Sequence, residues 1–209
     1  MLTTHQLSYQ YTKGNTIAFP DLSIVEGEHF LILGQSGCGK TTLLHLLSGL
    51  LRTQKGAITI DGTNLSELSS KSLDTFRGQY IGVIFQKPHF VKSLSVEEHL
   101  LTAQYLAQKP QDRQKIKSLL APLNLLSKKD KKISQLSEGE KQRVSVAMAL
   151  VNEPKLILAD EPTASLDDYH AQEVADMLEE YASKANATLI IVTHDQRLKK
   201  QFPKYLELS

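Results

Sequence analysis

The sequence predicts an α/β fold with a mainly parallel sheet, and two observations support this. Apolar runs of strand length recur along the chain, and amphipathic helical stretches separate several of them. These runs are nearly continuous Leu, Ile and Val, which is typical of strands that are buried on both faces. The runs assigned to the main sheet are residues 30–33, 81–85, 156–159 and 189–193.

The N-terminal region has a different pattern. Its candidate strands, at residues 2–11, 21–25 and 57–60, are partly alternating, and Gly27, Gly56 and the pair Asp61-Gly62 punctuate them. Such short runs suit antiparallel strands joined by tight turns. We therefore expect an antiparallel β-subdomain at the N-terminal end of the fold.

No strand pattern is visible between Pro88 and Gln135, where residues 96–108 and 112–126 have helical periodicity. The charge cluster at 127–132 (SKKDKK) is most simply a solvated connector. The prediction is one domain, 1–209, in which residues 1–86 and 154–209 form the core. Residues 87–153 are expected to form an inserted helical subdomain.

Composition excludes several classes of protein. The 24 Lys and Arg nearly balance the 23 Asp and Glu, so a net charge of +1 gives no large field that would attract nucleic acid. The single cysteine, Cys38, excludes a disulfide framework and fits a reducing compartment. No signal-peptide core is visible in residues 1–15, and no apolar run approaches the roughly 18 residues that span a bilayer. We expect a cytoplasmic protein without nucleic-acid partners.

Residues 34–41, GQSGCGKT, match the phosphate-loop pattern G-x-x-x-x-G-K-[ST] between a predicted strand and a helix expected at 42–51. The glycines allow a tight turn whose N–H groups face phosphate oxygens beside a helix N-terminus. Lys40 can reach the β- and γ-phosphates, and the Thr41 hydroxyl can bind Mg²⁺. The sequence therefore predicts a P-loop NTPase core. Its predicted nucleotide-binding residues are Gly34, Gln35, Ser36, Gly37, Cys38, Gly39, Lys40, Thr41 and Thr42.

Two carboxylates, Asp160 and Glu161, follow a predicted strand at the edge where parallel sheets bind ligands. Asp160 can hold Mg²⁺, usually through water, and Glu161 can polarise the water that attacks the γ-phosphate. An acidic pair after a strand is, by itself, more often a helix cap or a turn. The phosphate loop upstream favours the catalytic interpretation.

Two further predicted strands lead into polar residues at the same edge, Gln86 and His194. In isolation, each residue would be interpreted as an ordinary surface or core side chain. Their shared position at the sheet edge favours a role in the site. We expect Gln86 to complete the Mg²⁺ and water shell, and His194 to bond the γ-phosphate or Glu161.

A second anion site is predicted within residues 136–143, LSEGEKQR. Ser137 with Glu140 three residues later forms a capping box, which contributes about 1 kcal/mol at the cap and accounts for the pattern without any ligand. A free helix N-terminus that carries Ser137 and Gly139 is also suited to binding a phosphate. Both interpretations remain open at this stage.

Taken in chain order, these motifs resemble those of ABC-type nucleotide-binding subunits, and the likeness covers nearly the whole chain. The resemblance implies an ATPase that binds ATP and Mg²⁺ in a head-to-tail homodimer. Each ATP would lie between the phosphate loop of one subunit and Ser137 and Gly139 of the other. Tyr11 would stack on adenine, with Tyr9 as the alternative, and Asp167 of the segment Ser165-Leu166-Asp167 would communicate across the dimer.

The same resemblance implies a separate membrane permease docked on the helical region, which would hold this chain at the cytoplasmic face of the inner membrane. Residues 76–77, 81–82 and 85–86 are similar to the lipoprotein-release, macrolide-export and cell-division group. A non-transport regulator of a membrane partner is the alternative. A P-loop kinase would leave the Ser137 motif unexplained, and DNA-repair members would carry long coiled coils. Translation-factor members would contain two cassettes in one chain.

One feature of the chain departs from the family's usual Leu-Ser-Gly-Gly-Gln signature. Glu138 and Glu140 replace the first Gly and the Gln. Two carboxylates near an incoming triphosphate are expected to oppose closure of the dimer, although both suit the first turn of a helix.

Overall fold

The computed structural model describes residues 1–12, 14–163 and 168–208. Its strands, in chain order, are β1 (Leu2–Gln10), β2 (Thr16–Ala18), β3 (Ser23–Ile24), β4 (His29–Gly34), β5 (Lys55–Ile60), β6 (Thr63–Asn64), β7 (Ile81–Ile84), β8 (Leu156–Asp160), β9 (Thr188–Thr193) and β10 (Tyr205–Leu208). Its helices are α1 (Lys40–Leu47), α2 (Ser70–Tyr80), α3 (Val96–Leu106), α4 (Arg113–Leu120), α5 (Glu138–Leu150) and α6 (Asp168–Lys184). Short 3-10 turns occur at 65–67, 126–128, 133–135 and 196–200.

The main sheet has the strand order β10-β4-β9-β8-β7, and every neighbouring pair is parallel. Every residue of the central strands β8 and β9 is buried, which explains their unbroken aliphatic sequences. The four strands predicted for this sheet are confirmed, except that β7 ends at Ile84 instead of residue 85. The edge strand β10 was not predicted, because Glu207 interrupts its short apolar run.

The N-terminal strands form a second, antiparallel sheet in the order β2-β1-β5-β6, with β3 also paired to β1. The antiparallel β-subdomain is therefore confirmed. A two-residue turn joins β5 to β6, and both of its residues have positive φ, 51° at Asp61 and 78° at Gly62. Positive φ at both central positions is the geometry that two-residue hairpin turns favour. Sequence analysis did not identify the very short strands β2 and β6.

The helical region between β7 and β8 encloses an apolar cluster of its own, to which α3, α4 and α5 contribute Val96, Leu100, Ile116 and Leu120 among others. Helix α4 is shorter than the helix expected at 112–126. Asp112 caps its N-terminus, and the chain turns after Leu120, where Asn124 has a φ of 55°. The sequence therefore placed this helix correctly but extended it too far.

Helix α5 belongs to two apolar clusters. Val144 and Ala147 pack in the cluster of the helical region. Val146, Ala149 and Leu150 pack against residues of the main sheet. The helix is thus buried on two sides. It connects the segment at its N-terminus, around Ser137, to the parallel strands. In the part of the chain that the structure describes, no helix combines the length and apolarity needed to cross a bilayer.

Candidate nucleotide site

A cavity of about 650 Å³ lies at the carboxyl edge of the main sheet. The loops that follow β4, β7, β8 and β9 all reach it, as expected for ligand sites in parallel sheets. Its lining includes the loop residues Gln35, Ser36 and Gly37, together with Gln86, Glu161 and His194. The structure therefore brings together the four strand ends that the sequence assigned to one edge.

The phosphate loop leads directly into α1, which begins two residues earlier than predicted. Gly39 is the N-cap, and its φ of 99° favours glycine. No side chain forms a capping hydrogen bond at this end of the helix. No acidic residue lies in the first turn of this helix. Its N-terminal N–H groups are consequently available to an anion.

Gly34 contributes to the loop for a steric reason. A Cβ at this position would lie 2.5 Å from Cys38 Sγ and 2.7 Å from the Leu208 carbonyl oxygen. The loop glycines were expected to allow a tight turn, but at Gly34 it is this close approach that requires glycine. Cys38 is partly buried behind the loop.

Lys40 is the first residue of α1, and it is buried. Its Nζ donates hydrogen bonds to the carbonyl oxygens of Gly34, at 2.8 Å, and Gln35, at 3.0 Å. The same nitrogen lies 3.7 Å from Glu161 Oε1. The ammonium group is therefore held between the loop carbonyls and Glu161.

Asp160 is almost fully buried at the end of β8, and its Oδ1 accepts a long hydrogen bond of 3.4 Å from Thr41 Oγ1. Burial raises the pKa of the Asp160 carboxyl, the Thr41 hydrogen bond opposes the rise, and the charge of Glu161 adds to it. A buried carboxylate beside a hydroxyl supplies the oxygen ligands that Mg²⁺ prefers. Among the described residues, no group of three His, Cys, Asp or Glu side chains forms a metal site. The Asp160 carboxylate and the Thr41 hydroxyl are the two oxygen donors that this part of the cavity offers a magnesium ion.

Glu161 follows Asp160 with a φ of 49°, a conformation unusual for a residue with a side chain. Its Oε2 accepts a hydrogen bond of 2.9 Å from Thr193 Oγ1. His194 Nδ1 lies 3.0 Å from Oε1 and 2.9 Å from Oε2. The end of β9 thus orients the carboxylate, and the expected proximity of His194 to Glu161 is present.

Tyr11 places an exposed ring at the mouth of the cavity. Its hydroxyl lies 3.0 Å from Thr42 Oγ1, and this contact fixes it to α1. The Tyr9 ring meets Tyr11 edge-on, with centroids 4.9 Å apart, and packs against the core. Of the two tyrosines considered for adenine stacking, Tyr11 has the more accessible face.

The signature segment forms the predicted capping box. Ser137 Oγ accepts from the Glu140 N–H at 3.2 Å, and the Ser137 N–H donates to Glu140 Oε2 at 2.8 Å. Ser137, Glu138 and Gly139 are all exposed. A separate cavity of about 1020 Å³ adjoins Glu138 and Gly139, and it also reaches Gln86 and Glu161. The described lining of the nucleotide cavity does not include Ser137 or Gly139.

Comparison with known proteins decides between the possible classes. Residues 20–164 match the family model described as ABC transporter. The chain belongs to the ABC transporter family. The chain is 36% identical to the lipoprotein-releasing system ATP-binding protein LolD of Legionella pneumophila (strain Lens), over 100% of this chain and 94% of LolD.

This chain is also similar to the macrolide export ATP-binding/permease protein MacB of Acinetobacter baylyi. It is 39% identical over 100% of this chain but only 32% of its own length. A similar solved structure is the dimeric post-hydrolysis state of the ATP-binding cassette MJ0796 bound to ADP and Pi. Its TM-score is 0.90 at 28% identity, covering 100% of this chain and 94% of that one. These comparisons confirm the predicted fold and family, and the cassette is an ATP-hydrolysing subunit of an ABC transporter.

One polar residue of the cassette's site, Thr193, was not predicted from the sequence. A hydroxyl at the end of the otherwise aliphatic run Leu-Ile-Ile-Val, directly before His194, was the available signal. The segment Ser165-Leu166-Asp167, with the predicted role of Asp167, lies outside the described residues.

Proposed function

We propose that this cassette powers a membrane permease, carried on a separate polypeptide, through MgATP-driven closure of a head-to-tail homodimer. The division of the site into two surfaces carries the proposal. The phosphate loop lies in one cavity, whereas the exposed Ser137 and Gly139 lie outside it. A second copy supplies the signature residues that complete each site. The dimeric state named for the MJ0796 cassette supports this arrangement.

In the proposed complex, the phosphate loop and Lys40 hold the β- and γ-phosphates, while the Tyr11 ring stacks on adenine. Thr41, Asp160 and Gln86 hold the Mg²⁺ that arrives with ATP. That ion supplies neutralising charge to the phosphate oxygens. Ser137 and Gly139 of the second copy donate to the γ-phosphate from the other side.

Glu161 acts as the general base in hydrolysis. A water oxygen forms a bond to the γ-phosphorus, the bond from that phosphorus to the bridging oxygen of ADP breaks, and the water proton passes to the Glu161 carboxylate. Thr193 and His194 orient this carboxylate through the hydrogen bonds described above. Lys40 balances the negative charge that develops on the bridging oxygen of ADP as it leaves.

Residues 87–153 are proposed to move as a helical subdomain that meets the permease, which would keep the cassette at the cytoplasmic face of the membrane. Gln86 supports this because it lines both the nucleotide cavity and the cavity beside the signature helix. A residue at this junction can transmit a change at the γ-phosphate to the helical region. The names of LolD and MacB, which are transport components, favour a permease over a non-transport regulator.

The substitution Glu161→Gln tests the proposal. The amide keeps the shape of the side chain but cannot accept the proton, so turnover should fall at least about 100-fold while MgATP binding persists. Light scattering should then show a stable dimer with MgATP and a monomer without it. The matched control is Glu180→Gln on α6, where Glu180 pairs with Lys184 at the surface.

Full ATPase activity in the Glu161→Gln variant would show that Glu161 is not the general base. A variant that binds MgATP with normal affinity but stays monomeric would contradict the shared site instead. The two parts of the proposal therefore fail separately.

A further inference from the structure

The unusual carboxylate at the end of the signature motif has a specific partner. Glu140 Oε2 accepts the Ser137 N–H, and its Oε1 lies 3.2 Å from Lys128 Nζ. The Glu140 side chain is only 16% exposed. The backbone N–H of Ser137 and the Lys128 ammonium lower the pKa of the Glu140 carboxyl, so it is charged at neutral pH.

Lys128 comes from a different part of the helical region, the 3-10 turn at 126–128, and not from α5 itself. The neighbouring Lys129 pairs with Asp130 instead. The cluster at 127–132, which looked like a solvated connector in sequence, therefore contains one lysine that is directed at the signature.

The other signature carboxylate is compensated less effectively. Glu138 Oε1 lies 2.6 Å from Lys141 Nζ, but its side chain is 90% exposed. Solvent and salt screen an exposed pair of this kind strongly. Glu140, in contrast, is bonded to the backbone N–H of Ser137, so its charge lies next to a residue proposed to meet a phosphate.

We propose that Lys128 is a positioning residue for the nucleotide bound on a second copy of this chain. By neutralising Glu140 and holding its carboxylate on the Ser137 N–H, Lys128 keeps the signature turn able to accept the γ-phosphate of the partner's MgATP. The inference rests on the proposed dimer. It explains how a signature with Glu in place of Gln can still close on an anion.

A double-mutant cycle in the Glu161→Gln background, which should hold MgATP without turnover, tests the proposal. The dimer dissociation constant is measured by light scattering or analytical ultracentrifugation for Lys128→Met, Glu140→Gln and the double variant. Lys128→Met should weaken the dimer about tenfold, because each dimer contains two such pairs. In the Glu140→Gln background, which has no charge to neutralise, Lys128→Met should leave the affinity unchanged. With Glu140 present, Lys128→Arg keeps the positive charge and should keep the parent's dimer affinity.

The matched control is Lys129→Met, which removes a positive charge from the next residue in sequence and should leave the dimer unaffected. Thermal unfolding of each variant shows whether the fold is kept. Equal dimer affinities for the parent, Lys128→Met and Lys129→Met would overturn this inference alone, as would a loss that persists with Glu140→Gln. A parent that stays monomeric with MgATP would overturn both the dimer and this inference.

Discussion

The two polar surfaces of the molecule are assembled in different ways. At the sheet edge, Glu161 is contacted by three residues that are distant from it in sequence: Lys40, Thr193 and His194. At the signature, Ser137 and Glu140 lie three residues apart and satisfy each other within one helical turn. The first surface depends on the register of parallel strands, whereas the capping box of the second depends on local sequence. Substitutions at the sheet edge should therefore change the rate of hydrolysis, whereas substitutions at the signature should change the affinity of the dimer.

Among the substitutions that test this difference, Ser137→Ala should have the largest effect. It removes a hydroxyl proposed to bind the partner's phosphate at two sites per dimer, and each charge-assisted hydrogen bond contributes about 1.5 kcal/mol or more. The MgATP-dependent dimer should therefore weaken roughly 100-fold in the Glu161→Gln background. Loss of the cap should also reduce the free energy of unfolding by about 1 kcal/mol.

Ser95→Ala is the matched control for Ser137→Ala, because Ser95 forms the same capping box with Glu98 at the start of α3. It should cost similar stability in urea unfolding without any change in dimer affinity. Equal effects of the two substitutions on the dimer would mean that the signature acts only as a helix cap.

Thr193→Val should reduce kcat about tenfold, since it removes a hydrogen bond to the Glu161 carboxylate that contributes about 1.5 kcal/mol. The KM for ATP should change little, and Thr193→Ser should restore turnover. Steady-state ATPase kinetics measure both constants.

Thr188→Val provides the control for Thr193→Val. Thr188 lies at the other end of β9, is equally buried, and donates its hydroxyl to the Val25 carbonyl oxygen at 3.1 Å. Its loss should lower the melting temperature but not kcat. Equal losses of kcat in both variants would assign Thr193 a purely structural role.

Glu138→Gly should have the smallest effect, a tightening of the MgATP-dependent dimer by a few-fold. The substitution removes a negative charge near the incoming triphosphate, but solvent already screens that exposed carboxylate. Glu138→Gln, which keeps the side chain and removes the charge, should match it in sizing or scattering experiments. Unchanged affinity in both variants would show that this carboxylate does not oppose closure.

Patterns that are local in sequence could be predicted in detail. The phosphate loop, the capping box and the buried aliphatic strands each follow from neighbouring residues, and the structure contains all of them. The four strand ends could also be placed at one edge, because parallel strands share their carboxyl side. The roles of the individual site residues remain predictions.

Two contacts that depend on pairing between distant segments could not be predicted. The bond from Thr193 to Glu161 requires β8 and β9 to be neighbours, with Asp160 opposite Val192. The pairing of Lys128 with Glu140 likewise requires a turn and a helix to meet in space. The short strand β2 has too few residues for a periodic pattern, so its three residues were missed.

The double burial of α5 also limits how this cassette can be rebuilt. An exchange of residues 87–153 for the equivalent segment of a relative must match the sheet as well as the helices, because Val146 and Val144 pack on different partners. Chimaeras that keep α5 with its native strands should fold more readily than chimaeras that move it. Amide protons along this helix should be among the slowest to exchange with heavy water.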